Sequence, residues 1–240
     1  MNVLALETSS SILSVALKKT AGQITESSFE GALYHAENLL PTIDQMLKKQ
    51  KLKLQDIHVF LIGRGPGSFT GLRIGFSTLK GFRMIQKINC YGAFSLDMIA
   101  ENAELPEKSR LCVCLDARRE KIYTRFYQRS RQKKWKPLQK PAVLSFSEFA
   151  SSLNPGDFLI GDALGRYGEA TKSYEKKLGL HLFKQSLWNP KASTLIRWFD
   201  SAKGEKGKTP LVKLEKPSEF LPFYFRLSEP EERKKAACQS

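Results

Sequence analysis

The second half of the chain repeats the first. Leu4-Ala5-Leu6-Glu7 returns as Val113-Cys114-Leu115-Asp116, each an apolar strand ending on a carboxylate, with a polar turn and a returning strand over 11–18 or 121–127 behind it. Phe60-Leu61-Ile62-Gly63 returns as Phe158-Leu159-Ile160-Gly161, again an apolar strand running into a glycine-containing turn, over 64–67 and 162–165. Both pairs keep their order, at separations of 109 and 98 residues. A repeat of this length restricts the fold to two like units side by side, each burying the apolar faces of its own strands.

Alternation over 3–8, 12–18 and 23–29 predicts an antiparallel meander, with Gly22 and small polar residues at the turns. The period then changes. From His35 to Gln50, Leu39, Leu40, Ile43, Met46 and Leu47 recur at helical spacing opposite Glu37, Asp44, Lys48 and Lys49, and Pro41 has to sit in a first turn or kink the helix. Val59 to Ile62 reads as a short buried strand feeding the loop from Gly63 to Gly71, and a helix follows to about residue 86. A strand over 88–93 and a helix over 95–103, with Ser95 as its N-cap, complete the unit. Tandem meander-plus-helix units, each with a carboxylate ending its first strand, resemble the α/β actin-like superfamily (ASKHA, ribonuclease-H-like) of actin, Hsp70 and sugar kinases. That resemblance implies two lobes whose strand-end turns face each other across a cleft for nucleotide phosphates. The expected lobes are residues 1–103 and 104–228, with 229–240 a flexible tail.

A Walker A loop needs a lysine that no register of residues 63–71 supplies, and a dinucleotide fingerprint needs a third glycine where Ser68 stands. What is left is a strand, a turn built on Gly65-Pro66-Gly67, and a helix opened by Ser68 or Thr70 whose free amides suit a phosphate. The same glycines suit a turn that only packs closely, and Gly71 and Gly75, four apart on one helix face, invite the approach of another helix. Glu7 and Asp116 are either a carboxylate pair gripping a magnesium-bound phosphate or two strand-end groups bonding their own turn amides. Glu7, Ser9, Gly65, Gly67, Ser68 and Asp116 are thus the candidate vestigial phosphate-binding set, and an ATPase or kinase using Glu7, Asp116 and the Gly65–Ser68 loop is the alternative enzymatic reading. Ser9, Ser10 and Ser11 have no histidine nearby in sequence to activate them.

With 39 Lys and Arg against 24 Asp and Glu, the chain carries a net charge of +15, which suits an acidic partner such as nucleic acid. The stretch from Arg125 to Lys140 holds seven basic side chains and no acidic one, interleaved with Phe126, Tyr127 and Trp135. Arg129, Arg131, Lys133, Lys134 and Trp135 are therefore candidates for RNA contact, beside the plainer reading of a solvated hairpin tip over 130–134. Cys112 and Cys114 alternate onto one face of a buried strand, and with Cys90 and Cys238 they do not make a disulfide framework. His35, His58 and His181 are too scattered for a His-rich metal centre. No apolar run approaches the ~20 residues of a membrane span. The N-terminus opens directly on a strand rather than an export signal, so a cytoplasmic protein is expected.

Six segments together resemble the TsaB (YeaZ) family, which has also been called glycoprotease-like. They are Leu4-Ala5-Leu6-Glu7-Thr8-Ser9, the run from His35 to Pro41, the block from Gly63 to Gly75, Asp116-Ala117-Arg118 with Ile122-Tyr123, Ile160-Gly161-Asp162, and the run from Pro222 to Arg226. They stand in family order, and the glycine block is highly specific. The resemblance implies a duplicated actin-like fold and a non-catalytic subunit of the bacterial machinery that places a threonylcarbamoyl group on the adenosine next to the anticodon of tRNAs reading codons that begin with A. It implies pairing with a paralogous TsaD-type transferase, joined by a TsaE-type ATPase, with tRNA met indirectly and no membrane. No cofactor is then expected in this chain, ATP and metal being expected on the partner subunits. The catalytic paralogue presents His-x-x-x-His where this chain reads Ser95-Leu96-Asp97-Met98-Ile99, and neither Ser95 nor Ile99 replaces an imidazole ligand. Family contacts with the paralogue are helical and use the first lobe. Here that points to His35, Leu39, Leu40, Ile43, Met46 and Leu47 on one helix and Gly71, Arg73, Gly75, Phe76 and Leu79 on the next, a face that also permits a homodimer when the partner is absent. The chain departs from the family pattern at Glu7, where Asp is usual, and at Ala36, where Ser is usual.

Overall fold

The computed structural model describes residues 1–31, 35–204 and 209–223. In chain order its elements are β1 (Asn2–Glu7), β2 (Ile12–Lys18), β3 (Ile24–Glu30), α1 (His35–Lys49), β4 (Ile57–Gly63), α2 (Phe69–Ile85), β5 (Asn89–Ala93), α3 (Ser95–Ala100), β6 (Arg110–Asp116), β7 (Lys121–Arg129), β8 (Trp135–Pro137), β9 (Ala142–Ser145), α4 (Phe146–Ser151), β10 (Phe158–Ile160), α5 (Ala163–Arg166), α6 (Gly168–Leu178), β11 (His181–Leu182), α7 (Ala192–Gly204) and β12 (Val212–Leu214). They form two mixed sheets. The first runs β12-β5-β4-β1-β2-β3 and the second β11-β10-β6-β7-β8, with β9 also pairing β7. β1 and β6 hold the same place: each lies antiparallel to the strand that follows it and parallel to the strand of the second echo, Ala5 beside Leu61 and Val113 beside Ile160. This is the actin-like α/β topology twice over, as the echoes imply.

Strand alternation sorts the core into layers. Leu4 and Leu6 of β1 meet Leu39 and Ile43 of α1 and Phe76 and Leu79 of α2. Val3 and Ala5, on the opposite face, meet Leu195, Ile196 and Phe199 of α7. In the second sheet Cys112 and Cys114 share one face, packing with Phe149 of α4 and Leu164 of α5. Leu111, Val113 and Leu115 face the other way, onto Leu96, Ile99 and Ala100 of α3. Because both faces of β1 and β6 are covered, each strand reads as an apolar run rather than an alternating one.

The closing helix of each repeat is exchanged. α3 follows β5 of the first sheet yet covers the second, while α7 follows β11 of the second sheet and covers the first. The expected second lobe of residues 104–228 is corrected accordingly: α7 packs on the first sheet, and β12 extends that sheet by pairing with β5. Polar bonds seat α7 there. Its Ala192 N–H donates to Ser14 Oγ (2.9 Å), Ser193 donates its N–H and hydroxyl to Glu26 (3.1 and 2.7 Å), and Lys18 pairs with Asp200 (2.5 Å). Amides that a helix start leaves without partners are thereby satisfied by β2 and β3.

Two helical details differ from the sequence reading. Pro41 lies in the second turn of α1, where it removes the bond to the carbonyl four residues earlier. Phe94, not Ser95, is the N-cap of α3, which ends at Ala100, and the Ser95 hydroxyl is engaged elsewhere. The segment 224–226 of the last family motif, Cys238 and the tail 229–240 lie outside the described residues.

Candidate functional site

Glu7 ends β1 with its carboxylate fully buried. Oε1 accepts from the Ser9 N–H at 2.6 Å and Oε2 from the Ser95 hydroxyl at 2.8 Å. Desolvation pushes its pKa up, against the lowering effect of these hydrogen bonds. The carboxylate lies so close to Gly63 that a Cβ there would stand 1.9 Å from Oε2, and its counterpart Gly161 would meet the Cys114 carbonyl oxygen at the same distance. Both echoed glycines thus have one cause, a strand end passing hard against its neighbour.

The glycine loop closes over the β1–β2 turn. The Ser68 N–H donates to the Ser9 carbonyl (2.7 Å) and the Ser95 N–H to the Gly65 carbonyl (2.8 Å). A Cβ on Gly67 or Gly71 would stand 2.1 Å from the Ser9 or Thr8 carbonyl oxygen, and one on Gly75 2.6 Å from the Thr8 hydroxyl. Gly71 and Gly75 therefore admit a strand turn, not a second helix. Ser68 caps α2, its Oγ accepting from the Gly71 N–H at 3.2 Å. The loop is a packing element on the turn that the phosphate reading needs open, and the hydroxyls of Thr8 and Ser9 are left buried without a protein partner.

Asp116, at the end of β6, serves its own lobe. Oδ1 accepts from the Arg118 N–H (2.8 Å), Oδ2 from the Arg166 guanidinium (3.1 Å), and its N–H donates to Asp162 (2.8 Å). Burial pushes the Asp162 carboxyl up, and the charge of Asp116 adds to this. Each carboxylate thus bonds an amide of its own turn, Ser9 N–H for Glu7 and Arg118 N–H for Asp116, as the strand-end reading expects.

The helical residues expected at a partner interface divide sharply. His35, Leu39, Ile43, Met46, Leu47, Gly71, Gly75, Phe76 and Leu79 are buried within the first lobe itself. They correct the sequence reading: periodicity marks the face a helix buries, and here the sheet of the same lobe takes it. Leu40, 57% exposed, and Arg73 alone of that set reach the surface. Together with Ala36, Phe69 and Ile74 they line a shallow groove between α1 and α2, with the Arg73 guanidinium 4.0 Å over the Phe69 ring.

In the basic stretch, Arg131, Lys133 and Lys134 are exposed at the β7–β8 hairpin tip, Arg131 lying 3.3 Å from Glu107. Arg129 and Trp135 turn inward, guanidinium over indole at 4.8 Å, leaving Arg129 Nε and Nη1 and Trp135 Nε1 buried without acceptors. Arg125 is engaged: Asp97 pairs with it at 2.7 Å and accepts from the Tyr127 hydroxyl at 2.6 Å. Burial raises the pKa of Asp97 and of Glu101 one turn on, and holds the Tyr127 phenol well above its usual range. Asp97, Glu101, Arg125, Tyr127 and Trp135 wall a cavity of about 620 Å³ between α3, the hairpin and the end of α7, which sequence reading missed. The one local signal was the four-residue spacing of Asp97 and Glu101, indistinguishable from a solvated helix face. Ser95 and Ile99, at the positions of the paralogue's histidines, are fully buried, one bonded to Glu7 and the other in the core. Among the described residues no three His, Cys, Asp or Glu side chains group as metal ligands, and no helix is long and apolar enough to cross a membrane.

Two copies of one sheet, exchanged closing helices and a first strand-end turn covered by its own glycine loop define a two-lobe actin-like protein. The family described as TsaD, tRNA N6-adenosine threonylcarbamoyltransferase, matches residues 29–183. The chain is 31% identical over 145 residues to the tRNA threonylcarbamoyladenosine biosynthesis protein TsaB of Escherichia coli; the match takes in 60% of this chain and 62% of that relative, so about three-fifths of the relative's length is spanned. The protein of the same name from Haemophilus influenzae is 29% identical over 72% of this chain and 76% of its own. YeaZ from Pseudomonas aeruginosa superposes with a TM-score of 0.73 at 26% identity, over 93% of this chain and 99% of that one. The chain belongs to this family, in its TsaB/YeaZ branch.

Proposed function

We propose that this chain acts in tRNA threonylcarbamoyladenosine biosynthesis as the scaffold subunit that binds and activates a TsaD-type transferase, without carrying the chemistry itself. The observation that supports this most is the α1–α2 groove, where Leu40 holds an apolar side chain in water on the helix pair of the first lobe. The closed glycine loop points the same way, because the turn that would seat phosphates in an actin-like kinase is packed against the protein's own backbone. In this reading the transferase seats on Leu40, Phe69, Arg73 and Ile74, a TsaE-type ATPase joins the pair, and the partner subunits hold ATP and metal. The transferred group goes to the adenosine beside the anticodon of tRNAs reading codons that begin with A, in the cytoplasm, and a second copy of the chain covers the same face when the transferase is absent.

Size-exclusion chromatography with light scattering, on the chain mixed with the transferase of the same genome, tests the reading. A one-to-one complex is expected, weakened at least about tenfold by Leu40→Asp or Arg73→Glu, because interface anchors typically contribute ~2 kcal/mol or more. Leu40→Asp should not lower thermal stability, since that side chain already faces solvent, and Arg73→Glu should cost no more than about 1 kcal/mol for its contact with Phe69, whereas Ile43→Asp would unfold the lobe and report nothing about the interface. An unaltered complex with Leu40→Asp refutes the assigned face. ATP turnover by the chain alone, lost in Glu7→Ala, would favour the kinase or ATPase alternative.

A further inference from the structure

The cavity between α3, the β7–β8 hairpin and the end of α7 has no part in the function proposed above. It lies away from the Asp116 turn, since β7 lines it with Arg125 and Tyr127, whereas Asp116 pairs with Ile122 at the other end of the strand. Its charged groups fall into two sets. Inside, Asp97 is matched by Arg125 and Tyr127, and Glu101 has Arg129 and Arg197 as counter-charges. At the mouth stand Lys133, Lys134 and Lys136, all exposed, with no carboxylate among the lining residues beyond the two inside. The walls are aromatic: Phe94, Tyr127, Trp135 and Trp198. Trp135 Nε1 is a buried donor lacking an acceptor, while Arg129, which stacks on that indole, stands outside the lining. Unmet donors of this kind are costly and mark a place where an acceptor is missing.

A ligand that answers all of this is planar and aromatic, bears ring nitrogens or carbonyls as acceptors, and ends in an anion. An acyl chain would not match the Trp135 donor or the positive charge of the mouth, and a simple polyanion would leave the rings uncovered. We propose that the cavity binds a nucleotide, its base among Tyr127, Trp135 and Trp198 and its phosphate against Lys133, Lys134 and Lys136. The volume, about 620 Å³, lies within the range of small-molecule sites. A free nucleoside monophosphate and an unpaired nucleotide of an RNA share this chemistry. The inference rests on the cavity and stands apart from the transferase reading.

The test is a titration of the full chain with AMP, ribose 5-phosphate and single-stranded oligoadenylate, followed by tryptophan fluorescence and calorimetry. AMP should bind saturably and ribose 5-phosphate at least about tenfold more weakly, because base stacking on aromatic side chains is lost. Lys133→Glu with Lys134→Glu should weaken AMP at least about tenfold. Ser201→Trp, which fills the cavity from its α7 wall, should abolish binding at an unchanged melting temperature. Oligoadenylate binding about tenfold tighter than AMP, with a steep salt dependence, would assign the site to RNA, and equal affinities would assign it to a free nucleotide. Absence of saturable binding by either probe, equal binding of AMP and ribose 5-phosphate, or full binding by a folded Ser201→Trp variant would overturn the proposal.

Discussion

Replacing Gly71 by alanine separates a packing loop from an open anion loop. The added Cβ would stand 2.1 Å from the Thr8 carbonyl oxygen, a backbone atom with no freedom to swing aside. An ordinary carbon–oxygen contact is about 3.3 Å, so α2 or the β1–β2 turn has to retreat by about 1 Å. That retreat pulls Phe76 and Leu79 from their core positions and breaks the seat of Gly75 on Thr8. Overpacking of this kind costs about 1–3 kcal/mol, against a gain of up to ~1 kcal/mol from replacing a helical glycine by alanine. A net loss of about 1–2 kcal/mol follows, or a fall in melting temperature of roughly 2–8 °C for a chain of this size. Gly81 is the internal control: it lies on the same helix, is exposed, and has nothing within 4 Å of its added Cβ. Gly81→Ala should therefore stabilise by up to ~1 kcal/mol. Urea denaturation followed by circular dichroism reads both, with an unchanged slope showing that only stability has moved. If Gly71→Ala proved as stable as Gly81→Ala, the loop would be free to yield, and the argument that the turn is filled would fail.

Glu7→Gln tests the buried carboxylate. Its native pKa lies above its ordinary 4.5, so the folded state keeps a proton that the unfolded chain has lost, and stability falls as pH rises from 4.5 through the native value. The stability of the glutamine variant relative to the natural chain should accordingly rise with pH across that window and then level off; a pH-independent difference contradicts the assignment. Residues 1–103 expressed alone should show no cooperative unfolding transition, because Val3, Ala5, Val59 and Leu61, all fully buried, lose their cover of α7. A sharp calorimetric melt of that fragment would show that the first lobe stands by itself.

What could be read from the sequence was what dense local patterns encode. β1, β4, β6 and β10 were visible because strands covered on both faces are continuous apolar runs, and Gly63 and Gly161 marked the ends of β4 and β10 because no side chain fits there. The buried face of α1 was equally visible, but periodicity does not say what covers a face. The family resemblance points the whole stripe of Leu39, Leu40, Ile43, Met46 and Leu47 at a partner, whereas their own sheet takes four of them and Leu40 alone reaches solvent. Gly71 and Gly75 showed that something approaches α2 closely, yet only the folded chain brings Thr8 there, its backbone to Gly71 and its hydroxyl to Gly75. The exchange of α3 and α7 and the cavity bring together residues a hundred positions apart, such as Asp97 and Trp198, and no local spacing records such a meeting.

The exchanged helices also set an order of events during synthesis. The sheet of the first lobe, β12 apart, is made within the opening 93 residues, but α7, which covers Val3, Ala5, Val59 and Leu61, ends only at Gly204. At translation rates of roughly 5–20 residues per second, that face waits about 5–20 s for its cover as the chain leaves the ribosome. The second sheet finds α3 already made when β6 emerges. The lobe begun first is thus the one finished last.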